Sequence, residues 1–175
     1  MDEATQVIAS FLSDRSALPE DGGPSGLTLG SVVNLFTLLL RPGEKLVAYA
    51  DRLEDLGEER GSARQSVDLV ALTDMRMVRS RIANDAFVWK ETPLPAEAAL
   101  GVEAFVGRAG ENDPRWWIAD EPEPARFSIH LPESLLLDGD AGQRWMWTST
   151  ATAWSRRPVH VFNLWSEALH KMRRQ

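Results

Sequence analysis

Apolar positions recur every three or four residues near both ends of the chain and every second residue between them. Ala4, Val7, Ile8, Phe11 and Leu12 give residues 2–14 the stripe of a short amphipathic helix that should dock by that stripe. The segment LTLGSVVNLFTLLL (27–40) is helical by length and stops at Pro42-Gly43. Between the two, ALPEDGGPSG (17–26) interrupts any regular element and is the best linker in the chain. The end of the chain carries Phe162, Trp165, Leu169 and Met172 at helical spacing. Pro158 suits the start of that helix, and Lys171, Arg173 and Arg174 occupy its last turn, where cations favour the dipole.

From Glu44 onward the period is two. KLVAYADRL, SVDLVAL, RMVRSRI, DAFVWKET, GVEAFVGR, RWWIAD, RFSIHLP and RWMWTSTATAW are short and rich in β-branched or aromatic residues. The stretches LGEERGS, AND, GEND, EPEP and DGDAG punctuate them as turns. Antiparallel strands at this spacing predict a sandwich or barrel. One strand is unusual: Val70 and Leu72 can face a core, yet Val67, Leu69 and Ala71 on the opposite face are apolar too. A sheet face open to water should be polar, so the N-terminal helices or a partner should cover that side.

The order of elements, together with Gly43-Glu44 before the first strand, Leu72-Thr73-Asp74 with Arg76 at a tight hairpin, and Pro93-Leu94 ahead of the next sheet, resembles the PH-like superfold, in particular bacterial PH-like and GRAM-type domains. The resemblance implies an α+β, mostly β fold: an antiparallel sandwich or barrel of about seven strands closed by the C-terminal amphipathic helix. It implies a PH-like domain over 43–175, with residues 1–42 as an N-terminal helical extension outside it. The stretch 115–154 holds one strand more than that pattern needs.

Composition narrows the functional classes. The chain has 175 residues, 43% hydrophobic and 26% charged, enough for a core without staples. It has no cysteine, which excludes disulfides, thiolate metal sites and a cysteine nucleophile. The start MDEATQ lacks a signal pattern, and the most apolar window, SVVNLFTLLL, falls short of the roughly 20 residues of a membrane-spanning helix. The expectation is a soluble, cytoplasmic protein with no transmembrane segment. Net charge is −7, distributed as −6 over residues 1–60, +2 over 61–90, −8 over 91–140 and +5 over 141–175. That balance argues against nucleic acid and anionic lipid as partners.

Candidate contacts concentrate in the basic hairpin and among the tryptophans. Alternation puts Met77, Arg79 and Arg81 on one face and Val78 and Ile82 on the other, with Lys90 near the arginines if the next strand pairs there. Guanidinium groups match phosphate or carboxylate, though a solvated strand face explains the same charges. PH-like domains that bind phosphoinositides use basic residues around the first hairpin. Here Glu54, Asp55, Glu58 and Glu59 counter Arg60 and Arg64, which argues against a headgroup site. Trp116 and Trp117 are adjacent on a predicted strand and face opposite ways, so one of them needs a cover or a partner. The residues singled out for partner binding are therefore Arg76, Arg79, Arg81, Lys90, Trp116 and Trp117.

DGDAG (138–142) opens like a calcium loop but lacks the later ligands, since Gly142, Gln143 and Ser149 stand where they would be needed; it reads as a turn. His130, His160 and His170 lack metal-ligand spacing, and no nucleophile elbow, phosphate loop or dinucleotide fingerprint occurs. The expectation is a non-enzymatic module without metal or cofactor that engages a protein partner. Alternatives are an acidic inhibitor or immunity-type protein that neutralises a basic partner, and a lipid- or small-ligand carrier. The oligomeric state stays open, and a homo-oligomer is compatible with the chain.

Overall fold

A computed structural model describes residues 2–16, 18, 26–59, 62–83, 86–94, 102–106, 125–148 and 157–174. The chain divides into two compact units, Met1–Leu94 and Pro95–Gln175. The first holds helices α1 (Glu3–Ser13) and α2 (Leu29–Leu39) and strands β1 (Leu46–Glu59), β2 (Ser62–Thr73), β3 (Arg76–Ala83) and β4 (Phe87–Pro93). The second holds β5 (Val102–Val106), β6 (Ala125–His130), a 3₁₀ turn at Glu133–Leu135, β7 (Arg144–Thr148) and α3 (Arg157–Arg173).

Local chemistry sets the helix ends of the first unit. The Asp2 side chain accepts from the Thr5 N–H at 2.7 Å, and Thr28 forms a reciprocal box with Ser31 at the start of α2. After α2, Gly43 takes φ +81°, a left-handed conformation that costs a side-chain-bearing residue more than glycine, and so turns the chain into β1. Gly57 at φ +83° sits where the β1–β2 register shifts between Asp55 and Glu58, the usual work of glycine in a bulge.

The four strands pair antiparallel in the order β1-β2-β3-β4, with Ala71 opposite Tyr49 on one side and Val78 on the other. On this face Tyr49, Val67, Leu69, Ala71 and Val78 join Ile8, Leu12, Val32, Val33 and Phe36 in one core cluster. The Phe36 ring meets Tyr49 edge-on at 5.9 Å and Trp89 at 6.0 Å. The apolar outer face of β2 is thus covered by the N-terminal helices of the same chain. The opposite face carries Ala48, Ala50, Val70, Leu72 and Met77, all fully buried. Burial on both faces is why β2 reads as a nearly unbroken apolar run.

In the second unit the strands run in the order β5-β6-β7, with Ile129 paired to Trp145. Helix α3 packs against β5 and β6 and buries Val161, Trp165, Ala168 and Leu169. Trp165 and Leu169 belong to the predicted stripe; Met172 is half-buried, and the Phe162 side chain lies outside the described residues. DGDAG is a turn in which Asp140 accepts from the Leu137 N–H at 2.7 Å.

The expected sandwich of about seven strands closed by the C-terminal helix is not what forms. Seven strands are described, but they divide into an open four-stranded sheet and an open three-stranded sheet in separate units, with no closed barrel. The physical reason lies in which apolar surfaces satisfy one another. The stripes of α1 and α2 are spent on the outer face of β2, while α3 spends its own on β5 and β6. Among the described residues no helix is long and apolar enough to cross a membrane.

Candidate functional site

Two charged clusters occupy opposite faces of the first sheet, and both are built from the basic hairpin. On the helix-covered face Arg76 leaves the start of β3 and donates from Nε and Nη2 to the two Glu44 oxygens at 2.8 and 2.9 Å. That bidentate fork is the strongest geometry available to an arginine and a carboxylate. The Arg76 Nη2 also donates to the Leu39 carbonyl at 2.7 Å, which satisfies an otherwise open acceptor at the α2 terminus and places a cation at its negative end. Its Nη1 donates to Glu91 on β4, and Glu91 in turn accepts from Arg41 Nη2 at 2.8 Å and Trp89 Nε1 at 3.2 Å.

The Thr73 hydroxyl lies 2.7 Å from Glu44 Oε1 and accepts from the Arg76 N–H at 2.9 Å. The Arg41 N–H donates to the other Glu44 oxygen at 2.8 Å, and Asp74 accepts from the Lys45 N–H at 2.9 Å. Gly43-Glu44 and Leu72-Thr73-Asp74 with Arg76, separate motifs in the sequence, therefore meet as one polar clasp around the end of α2. Burial pushes the Glu44 carboxyl up, but Arg76, the Arg41 N–H and Thr73 together hold it below the usual value. Glu91 is also held low, chiefly by the Trp89 hydrogen bond and then by Arg76 and Arg41.

On the other face Arg79 is 1% exposed and Asp68 is fully buried. Arg79 donates from Nε to Asp68 Oδ1 at 3.1 Å and from Nη2 to Oδ2 at 2.9 Å. Register supplies the rest: Asp68 pairs directly with Arg52 across β1 and with Arg81 across β3, and both reach its Oδ2, at 2.9 and 3.2 Å. Glu54 pairs with Arg52 at 2.8 Å. Desolvation raises the Asp68 carboxyl, and the hydrogen bonds and charge of Arg79, followed by Arg52 and Arg81, more than offset it, leaving it below its ordinary value.

The expectation that Arg79 projects from a solvated sheet face is thus corrected. Arg79 and Met77 are buried, whereas Arg81 and Lys90 on that side are half-exposed. Arg76 is 5% exposed and faces the helices instead. Lys90 pairs with Arg79 in register, as alternation anticipates. Trp116 and Trp117, with the strand predicted over 115–120, lie outside the described residues. Sequence reasoning missed Glu44 and Asp68 as the arginines' partners. A signal existed for Asp68, a lone acid inside the apolar run SVDLVAL, but the register that brings three arginines to it is not local information.

A third buried group ties the chain after α1 to the sheet: Asp51 accepts from Ser16 Oγ and from Tyr49 Oη at 2.7 Å. Burial and the adjacent Asp51 charge push the Tyr49 hydroxyl well above its usual value.

Strand β4, like β1, is an edge of the first sheet. Among the described residues it pairs with β3, and it exposes Phe87 by 51% and Val88 by 41%. Phe87 packs beside Trp89 with ring centroids 6.5 Å apart. No protein-family model, no curated protein and no solved structure matches this chain.

Proposed function

We propose that the protein is a non-enzymatic interaction module that engages a protein partner, and that the partner adds an extended segment to the outer edge of β4. The observation that carries this reading is the exposure of Phe87 and Val88 on an edge strand. An edge of this kind offers main-chain groups for strand addition, with alternate side chains to select the partner. From the PH-like resemblance the reading keeps only a binding rather than a catalytic role. The arginines enter it indirectly: Arg76 clamps β3 to β4 through Glu91, and so braces the edge from within.

The test is proximity capture with a photoreactive phenylalanine analogue at position 87, followed by titration of the captured protein against Phe87→Pro, which removes an N–H that faces away from β3, and Phe87→Asp. Both variants should weaken binding at least tenfold, because proline interrupts strand pairing and aspartate removes the apolar anchor. Equal binding by both variants, or tight binding to anionic vesicles with no protein captured, would overturn the reading. Binding that collapses with salt yet ignores both variants would point instead to an acidic inhibitor acting through surface charge.

A further inference from the structure

Away from the β4 edge, a cleft of about 500 Å³ opens between α1, the C-terminal end of α2 and the turn at residues 41–46. Its walls are hydrocarbon and aromatic: Val7, Ile8, Phe11, Leu40 and Leu46 line it. Val7 stays 65% exposed although it lies on the same helix as the core residues Ile8 and Leu12. The size falls within the range of small-molecule pockets, which are mostly apolar with a few placed polar groups.

The polar groups here have one sign available. Glu44 lines the cleft, but its carboxylate is consumed by Arg76 and the Arg41 N–H. Arg41 and Lys45, both exposed, also line it. Among the described residues the Lys45 ammonium has no carboxylate partner, because Asp74 bonds the backbone N–H of Lys45 instead. Arg41 shares Glu91 in an exposed pair, a kind of contact worth little and easily shared with a ligand.

We infer that this cleft binds a small amphiphile, a linear hydrocarbon chain of roughly eight to twelve carbons ending in a carboxylate. The chain lies against Val7, Phe11 and Leu46, and the head group meets Lys45 and Arg41. Charge complementarity selects the anionic head. The apolar walls select length, since each buried methylene is worth roughly fourfold in affinity.

Calorimetric titration of the full chain with sodium decanoate, below its micellisation concentration, tests this. Saturable one-to-one binding is expected, at least tenfold weaker for hexanoate and for decyltrimethylammonium, which has the same tail and the opposite charge. Lys45→Glu and Val7→Glu, both at exposed positions, should each weaken decanoate binding at least tenfold while leaving the urea midpoint unchanged. Phe87→Asp, at an exposed position on the β4 edge, should leave it untouched, which separates this site from partner binding. Absence of saturable binding, equal binding of the cationic amphiphile, or wild-type affinity in both glutamate variants would overturn the inference. Binding to phosphatidylglycerol vesicles without any response to decanoate would overturn it too, by assigning the surface to a membrane.

Discussion

Arg79→Met separates a structural arginine from a recognition arginine. In the native sheet Arg79 is 1% exposed and makes two hydrogen bonds to a fully buried Asp68. Removing one partner of a buried pair typically costs about 3–5 kcal/mol, because the remaining charge is stranded. Arg52 and Arg81 still reach Asp68 Oδ2, at 2.9 and 3.2 Å, whereas Oδ1 loses its contact with Arg79 Nε. That puts the cost near the lower end, about 3 kcal/mol. With a urea dependence of about 2 kcal/mol per molar, the midpoint should fall by about 1.5 M. Far-UV circular dichroism during urea titration reads this directly.

Asp68→Asn supplies the control, since no carboxylate is then left to strand. In that background Arg79→Met should cost about 1 kcal/mol, a coupling of about 2 kcal/mol between the two residues. A cost below about 1 kcal/mol in the parent, or the same cost in both backgrounds, would refute the structural reading of this pair. Arg79 would then return to the surface role that the sequence suggests.

Truncation of Leu69, fully buried between the sheet and the helices, should be among the most damaging apolar changes. Leu69→Ala is expected to cost about 2–5 kcal/mol, read from thermal or urea unfolding. Acid should destabilise the first unit within a defined window. Asp68 and Glu44 have folded values below their ordinary 3.8 and 4.5, so the folded state binds fewer protons than the unfolded one there. Their contribution is fully present above those ordinary values and is lost as pH falls through the lower folded ones. The urea midpoint should therefore hold steady from pH 7 to 5 and drop below about pH 4.5, and Asp68→Asn should flatten part of that drop.

The elements themselves could be read from periodicity alone. Helical spacing in residues 2–14, 27–40 and 158–174 and two-residue alternation between them locate α1, α2, α3 and most strands, because both periods are properties of the local backbone. The double-sided apolar character of SVDLVAL even predicts that something covers the outer face of β2, and the N-terminal helices do so. Pairing of surfaces is different in kind. Which apolar face meets which stripe depends on contacts between residues far apart in the chain. Periodicity therefore gave no warning that the described strands divide four and three, or that α3 packs against β5 and β6.

The charged residues make the same point more sharply. Arg76, Arg79 and Arg81 stand out in the sequence as a basic hairpin, and alternation sends Arg79 and Arg81 to one face. Whether such a charge meets solvent or a carboxylate is settled by register. Asp68 lies across from both Arg52 and Arg81, and the turn at Gly43 swings Glu44 onto Arg76. Sequence alone thus determined most of the elements and which side chains share a strand face, because both follow from the local backbone. The tertiary structure determined which charges are consumed in the interior and which surfaces remain, the β4 edge and the cleft beside α1, because desolvation and ion pairing depend on neighbours that only folding brings together.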